Sequence, residues 1–148
     1  MRLTNFTDYS LRVLIFLATQ KEDRLVNIKD IADTYQISKN HLMKVIHELG
    51  KLGLIETVRG RNGGIRLDKR PEAINIGTLI RKTEEDFYLV ECFNETENGC
   101  IISPVCGLKG VLNEALEAYF KVLDGYTLAD LAFNKAAFQQ LFSMHNTE

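Results

Sequence analysis

Three cysteines, Cys92, Cys100 and Cys106, are the residues of this sequence best suited to metal or redox chemistry. Seven residues separate the first pair and five separate the second pair. Zinc sites favour cysteine pairs about two to four residues apart, so this spacing is not typical of zinc. An iron–sulfur cluster holds its thiolates several ångströms apart, and three cysteines leave one coordination position to another group. Such a position makes a cluster reactive toward small ligands, as a sensor requires.

The cysteine spacing alone leaves three interpretations open. An odd number of cysteines argues against a disulfide framework, and clustered thiols in a reducing compartment more often bind metals or act in redox chemistry. The cysteines are therefore metal or cluster ligands, a thiol switch, or three unrelated buried or reactive side chains.

The cysteine segment is predicted to be a loop that follows a short helix. Asn75 is a suitable N-cap for a helix over residues 76–85. The dipeptide Asn98-Gly99 and Pro104 are turn signals, which predict a loop over residues 91–106.

A longer helix is predicted after this loop, over residues 107–124. Its apolar positions form a stripe with helical spacing: Leu108, Val111, Leu112, Ala115, Tyr119, Val122 and Leu123. We interpret this stripe as a dimer contact, with packing inside the same monomer as the alternative. A final helical stretch is expected over residues 127–144, with a break at Asn134.

The first half of the chain shows helical periodicity interrupted by a short turn. An apolar helix is predicted over residues 4–20, and Asn27 and Ser38 are N-cap residues for two further helices. The apolar positions of these two helices repeat at i, i+3, i+4 and i+7: Ile28, Ile31, Ala32 and Tyr35, then Leu42, Val45, Ile46 and Leu49. Two short amphipathic helices joined by so short a turn are typical of a helix-turn-helix.

A β-hairpin is predicted directly after this helix pair. Residues 54–59 and 65–67 are predicted strands, and the glycine-rich loop over residues 60–64 permits a tight reversal. Residues 24–26 can form only a short strand. The order of elements predicts a mainly α fold with a small β-hairpin, namely a winged helix-turn-helix followed by a long dimerisation helix.

The helix-turn-helix and the hairpin carry side chains suited to DNA. Recognition helices read base edges with their N-terminal residues, Asn and Lys pair with base edges, and Ser, Lys and backbone N–H groups hold phosphates. An arginine at a hairpin tip can enter a minor groove. The candidate DNA contacts are Asn27, Ser38, Lys39, Asn40, His41 and Lys44 on the helices, Arg59, Arg61, Asn62 and Gly63 at the tip, and Arg66 on the return strand. The alternative is a solvated helix face next to a polar loop.

Charge is divided unevenly along the chain. Residues 1–70 carry 13 lysines and arginines against 8 acidic residues, whereas residues 71–148 carry 5 against 12. A DNA-binding surface needs clustered cations that displace phosphate counterions. We therefore predict a winged helix-turn-helix DNA-binding domain at residues 1–70, and a cluster-binding loop and dimerisation region at residues 71–148.

Several other classes of protein are disfavoured. No apolar run approaches the roughly 18 residues of a membrane span, and residues 1–7 lack the features of a signal peptide, so a cytoplasmic protein is expected. Catalysis is not expected, because the sequence has no Ser/His/Asp set, phosphate-binding glycine loop or paired His–Glu metal motif. Two alternatives remain: a winged-helix regulator without a cluster, controlled by thiol redox state or a partner protein, and an adaptor that binds protein.

Four segments of the chain resemble one family of regulators. They are residues 3–12 (LTNFTDYSLR), residues 37–45 (ISKNHLMKV), the hairpin tip at residues 59–64 (RGRNGG) and the cysteine loop with its C-x7-C-x5-C spacing. Over about its first 125 residues the chain is similar to the Rrf-type winged-helix transcription regulators, and within them to the nitric-oxide-sensitive repressor branch.

This resemblance implies a homodimer that represses promoters while its iron–sulfur cluster is intact and releases DNA when nitric oxide attacks the iron. It assigns Cys92, Cys100 and Cys106 as ligands and Asp8 of the partner subunit as the fourth. A four-iron (4Fe–4S) cluster is favoured, with a two-iron (2Fe–2S) cluster as the alternative. A sister branch of iron–sulfur assembly regulators carries a histidine shortly after the third cysteine. Here Gly-Leu-Lys stands at residues 107–109, so an imidazole ligand is not expected.

Overall fold

The computed structural model describes residues 1–146, which form seven α-helices and one two-stranded antiparallel sheet. In chain order the elements are α1 (Asn5–Ala18), α2 (Ile28–Tyr35), α3 (Lys39–Lys51), β1 (Ile55–Val58), β2 (Gly64–Leu67), α4 (Ile76–Thr83), α5 (Leu108–Asp124), α6 (Leu128–Leu131) and α7 (Lys135–His145). Short 3-10 turns lie at Pro71–Ala73 and Glu91–Phe93. The predicted mainly α fold with a β-hairpin is confirmed.

Polar side chains cap the first three helices. The side-chain oxygens of Thr4, Asn27 and Ser38 accept hydrogen bonds from backbone N–H groups of the first turn, at 3.3, 2.9 and 3.2 Å. The helix α2 ends at Tyr35, and the C-cap residue that follows, Gln36, has the left-handed φ of 54°. The chain then passes through Ile37, which is buried, to the cap of α3. The predicted helix-turn-helix is therefore confirmed.

The predicted apolar faces of α2 and α3 point into one core. Buried members are Ile31, Ala32, Leu42, Val45, Ile46 and Leu49, while Ile28 and Tyr35 are half-buried at the edge. Burial of apolar surface is the dominant stabilising term for such short helices, because isolated helices of this length are marginal in water.

The hairpin pairs Ile55 with Leu67 and Val58 with Gly64. The strand predicted at residues 24–26 is reduced to one bridge, in which Val26 exchanges two backbone hydrogen bonds of 2.9 Å with Ile65. The extended segment is short because a left-handed residue, Asp23, precedes it and the N-cap of α2 follows it.

The helix α5 packs differently from the predicted stripe. Its buried residue Phe120 lies against Arg81 of α4, and its half-buried residue Leu116 packs against the core. Neither residue belongs to that stripe. By contrast, Leu108, Val111 and Val122 of the stripe are more than half exposed. The predicted stripe is therefore divided, because Leu108, Val111, Ala115 and Val122 are exposed whereas Tyr119 and Leu123 pack against the monomer core.

The C-terminal residues form two helices rather than one. Asn134 is the N-cap of α7, and its side chain accepts a hydrogen bond from Ala137 N–H, so the predicted break is present. The helix α7 lies over α1 and α2, and its Phe142 stacks on Phe16 with ring centroids 4.8 Å apart. Side chains from both sides of residue 70 thus contribute to one buried cluster. None of the helices within residues 1–146 is long and apolar enough to cross a membrane.

Candidate DNA-binding surface and cysteine loop

The N-terminal part of α3 presents polar side chains to solvent. Its exposed residues are Lys39, Asn40, His41, Met43, Lys44 and His47, and the capping Ser38 is exposed as well. Within residues 1–146 neither Lys39 nor Lys44 forms an ion pair. This end of the helix therefore carries positive charge that no carboxylate of the described chain neutralises.

Two other lysines near this surface are paired. Lys51, at the far end of α3, lies 2.9 Å from Glu48, and Lys29 of α2 lies 3.0 Å from Asp33. The hydrogen bond from Lys51 holds the pKa of Glu48 below its ordinary value. The unpaired lysines are thus a property of the N-terminal end of α3 and not of the whole helix pair.

Aromatic residues of α1 and α2 support that end of α3. The ring of Tyr9 meets the ring of His41 edge-on, with centroids 5.5 Å apart. The guanidinium of Arg12 lies 5.9 Å from the rings of both Tyr9 and Tyr35. Burial raises the pKa of Tyr35 far above its usual range, so its hydroxyl stays protonated and donates to the backbone oxygen of Arg12 at 3.0 Å. The sequence pattern does not place Tyr9 or Arg12 at the DNA-binding surface, although both lie in the family-like segment 3–12.

The hairpin tip is a second exposed positive region. Arg59, Arg61 and Asn62 are exposed, and neither arginine forms an ion pair within the described chain. Gly63 closes the turn by donating its N–H to Gly60 oxygen at 3.0 Å.

Gly63 is required by the shape of this turn. A Cβ atom there would lie 2.1 Å from the backbone oxygen of Val58, which is a severe overlap with backbone. Gly60, with φ of 110°, adopts a conformation that favours glycine. These two glycines thus hold the tip in its tight reversal.

The return-strand residue Arg66 differs from the arginines at the tip. It sits opposite Glu56 in the hairpin register, and its Nε lies 2.9 Å from the Glu56 carboxylate. That hydrogen bond raises the pKa of Arg66. The charge of Arg66 is therefore compensated within the hairpin. This pairing depends on the strand register, which the sequence did not indicate.

Asn27 is the N-cap of α2 and lies next to the hairpin. Val26, the residue before Asn27, is held against β2 by its bridge to Ile65. The side-chain oxygen of Asn27 accepts a hydrogen bond from the N–H of Lys29, and Asn27 is exposed. The structure thus places Asn27 at an exposed helix N-terminus beside the hairpin.

The cysteine loop lies outside the core. Cys92, Cys100 and Cys106 are free thiols, each half-buried, and every residue from 91 to 107 is exposed or half-buried. Glu91, which the sequence did not single out, accepts a hydrogen bond from Gly99 N–H at 2.7 Å. The loop is thus held largely by hydrogen bonds among its own residues.

The donor chemistry of this loop fits an iron–sulfur cluster. Three thiols that form no disulfide stand on one segment, and thiolates are the usual ligands of such clusters. Within residues 1–146 no three His, Cys, Asp or Glu side chains are grouped so that they could hold a metal ion. The thiols would therefore have to converge, and because no residue from 91 to 107 is buried, this would displace none of the core residues.

Asp8 is engaged with a neighbour on the same helix. Its carboxylate lies 2.8 Å from the guanidinium of Arg12, one helical turn later, and both side chains are 44% exposed. Asp8 and the three cysteines do not form a metal-holding group within the described chain.

A comparison with protein families shows which family this chain belongs to. The Rrf2 family, described as "Iron-dependent Transcriptional regulator", matches residues 3–134. The chain belongs to the Rrf2 family. It is 69% identical over 143 residues to the HTH-type transcriptional regulator NsrR of Bacillus licheniformis, covering 97% of this chain and 100% of that protein. It is 65% identical over 144 residues to NsrR of Bacillus subtilis, covering 97% and 99%.

Solved structures of Rrf2-type regulators share the fold. CymR (YrzC), the global cysteine regulator of B. subtilis, superposes with a TM-score of 0.72 at 29% identity, covering 89% of this chain and 96% of CymR. IscR of T. potens superposes with a TM-score of 0.72 at 26% identity, covering 90% and 88%. The family relationship and the winged-helix fold are confirmed, and the names of these Rrf2 relatives describe regulators rather than enzymes, as expected.

Proposed function

We propose that this chain is a cytoplasmic transcription repressor that binds promoter DNA as a homodimer, and that an iron–sulfur cluster controls this binding in response to nitric oxide. One observation carries the DNA-binding part. Lysines at the start of α3 and arginines at the hairpin tip form no ion pair, whereas cations elsewhere on both elements are paired with carboxylates. Unpaired cations on two projecting elements favour a polyanionic partner.

The two elements suit different parts of a duplex. The start of α3 enters the major groove, where Asn40 pairs with a base edge and Lys39 and Lys44 contact phosphates or bases. The hydroxyl of Ser38 already accepts from a backbone N–H and can still donate to a phosphate oxygen. His41 and Asn27 flank these contacts.

The hairpin tip fits the neighbouring minor groove. Arg59 and Arg61 extend from it without a carboxylate partner, and a narrow minor groove attracts arginine through its negative potential. Asn62 and Gly63 complete the tip, where the glycine lets the backbone approach the sugar–phosphate wall closely.

The exposed apolar positions of α5 support a dimer. Residues separated alternately by three and four positions are all exposed: Leu108, Val111, Ala115, Ala118 and Val122. This spacing is that of a coiled-coil seam, in which two helices bury the same stripe against each other. A two-fold dimer would present two α3 helices to one pseudo-palindromic site.

We assign Cys92, Cys100 and Cys106 as cluster ligands and Asp8 of a second subunit as the fourth. A four-iron cluster is the preferred form, and a two-iron cluster is the alternative. Support comes from the free thiols, the similarity to NsrR proteins and the family description as iron-dependent. When bound, the cluster supplies iron that nitric oxide can attack.

The residues of the chain would transmit the state of this site to α3. If Asp8 binds iron, Arg12 loses the carboxylate that it contacts at 2.8 Å. Arg12 lies next to Tyr9, whose ring packs on His41 of α3. A change at Asp8 can therefore shift the balance between forms of α3 that bind DNA well and poorly.

Anaerobic purification tests this proposal. The protein should be coloured, contain iron and sulfide, and bind genomic promoter fragments at low ionic strength. Nitric oxide should change the visible spectrum and weaken DNA binding. Loaded protein that ignores every fragment would refute the DNA-binding part, whereas equal affinity before and after nitric oxide would refute only the sensing part.

A regulator controlled by thiol redox state without a cluster is the second candidate. The three free, half-buried thiols are accessible to oxidants, and the fold is shared with a cysteine regulator. A colourless anaerobic preparation whose DNA affinity changes with thiol oxidation would select this candidate.

A further inference from the structure

The cysteine loop divides into a polar and an apolar part. Residues 94–99, between the first two cysteines, read Asn-Glu-Thr-Glu-Asn-Gly. Between Cys100 and Cys106, in contrast, Ile101, Ile102 and Val105 are 93%, 55% and 88% exposed. Large aliphatic side chains clustered in water usually mark a surface that something covers.

The backbone of the apolar part is a tight turn. Ser103 N–H donates to Cys100 oxygen at 3.2 Å, and the N–H groups of Val105 and Cys106 both donate to Ile102 oxygen, at 3.0 and 2.9 Å. Cys100 and Cys106, at the two ends of this turn, are proposed ligands of the cluster. If those two thiolates hold one cluster, the five residues between them would be close enough to lie against it.

We propose that Ile101, Ile102 and Val105 form an apolar cover over the cluster, which excludes water and charged reagents and admits small uncharged ligands. This inference rests on the proposed function, because it requires a cluster between these cysteines. An apolar layer around a metal site controls solvent access to it. An uncharged diatomic gas crosses such a layer, whereas a charged molecule would have to lose its hydration.

Two iron chelators of different charge can test the cover. Sulfonated bathophenanthroline is anionic, and 1,10-phenanthroline is neutral, and each removes ferrous iron. Anaerobically loaded protein would be mixed with either chelator while the visible absorbance of the cluster is followed. The variants are Ile101→Thr, Val105→Thr and the double variant, which retain β-branched side chains and so disturb the backbone little. Leu141→Thr replaces an exposed aliphatic residue on α7, outside the loop, as the control.

We expect the anionic chelator to remove iron several-fold faster from the loop variants than from the wild type and the control. The rate with the neutral chelator should change much less. If the double variant does not retain iron, the single variants take its place in the comparison.

Three results would overturn the cover. The loop variants could lose iron at the wild-type rate with both chelators, or equally faster with both. They could also dissociate into monomers without a change in either rate, which would assign the aliphatic residues to a subunit interface. Failure of the wild type to bind iron and sulfide would instead refute the proposed function.

Discussion

Arg81 on α4 binds Asp124 at the end of α5 through two guanidinium nitrogens, at 2.5 and 3.0 Å. The same guanidinium lies 4.2 Å from the centre of the Phe120 ring. The side chain of Asn75, which caps α4, donates to the backbone oxygen of Asp124 at 2.8 Å. This set of contacts joins the winged-helix body to the helix that we propose as the dimer contact.

Asp124→Asn should lower the Tm by a few degrees at neutral pH. The hydrogen bond from Arg81 lowers the pKa of Asp124 in the folded protein below the ordinary value of 3.8. The stabilisation of the fold by the Arg81–Asp124 ion pair is therefore complete above that ordinary pKa, and it disappears as the pH falls through the lower folded-state pKa. Thermal unfolding of both proteins over a pH series measures the effect. A Tm difference that stays constant or grows on acidification would contradict it.

Gly77→Ala should destabilise the fold by about 1–3 kcal/mol, as overpacking does. A Cβ atom at this buried position of α4 would lie 1.9 Å from Asp124 Oδ1 and 3.0 Å from its backbone nitrogen. Accommodating the methyl group would push the end of α5 away from α4. Urea unfolding at one fixed protein concentration measures the loss.

Gly110→Ala is the matched control for Gly77→Ala. Gly110 lies in α5, and a Cβ atom there has no neighbour within 4 Å in the described chain. Alanine should therefore be neutral or stabilise the helix by about 1 kcal/mol or less. Equal losses in both variants would show that close approach of Asp124 is not the reason for glycine at residue 77.

Lys39→Ala and Lys44→Ala should each weaken binding to promoter DNA. If each lysine contacts a phosphate, its loss should lower the slope of log K against log salt by about one. Titrations at several salt concentrations measure this slope. Lys51→Ala, on the same helix but paired with Glu48, should leave it unchanged. A slope that falls equally in all three variants would argue for general electrostatic attraction instead of docking of the α3 N-terminus.

Val111→Asp and Val122→Asp should convert the proposed dimer into monomers. Both valines are 62% exposed in the single chain, so the changes should spare the monomer core. In a dimer the carboxylates would be buried without a partner, which is costly. Sedimentation at micromolar concentration reports the state, and Glu117→Ala, on α5 outside the seam, is the control. Dimers that persist in both aspartate variants would place the interface elsewhere.

Local features of the sequence were sufficient to predict the helix-turn-helix and the hairpin. Caps act over two or three residues, and apolar periodicity reports which face of a helix is buried, so both can be recognised without knowledge of distant contacts. For the same reason the caps at Asn27, Ser38 and Asn75 appear where the sequence predicts them.

Contacts between distant segments were decided only by the tertiary structure. Periodicity indicated an apolar stripe on α5 but not that Phe120 would face α4 while Val111 and Val122 faced solvent. Nor could it distinguish Arg66, which Glu56 neutralises across the hairpin, from the unpaired arginines at the tip. These outcomes depend on which residues the folded chain brings together, and side chains far apart in the sequence meet only after the local elements have packed.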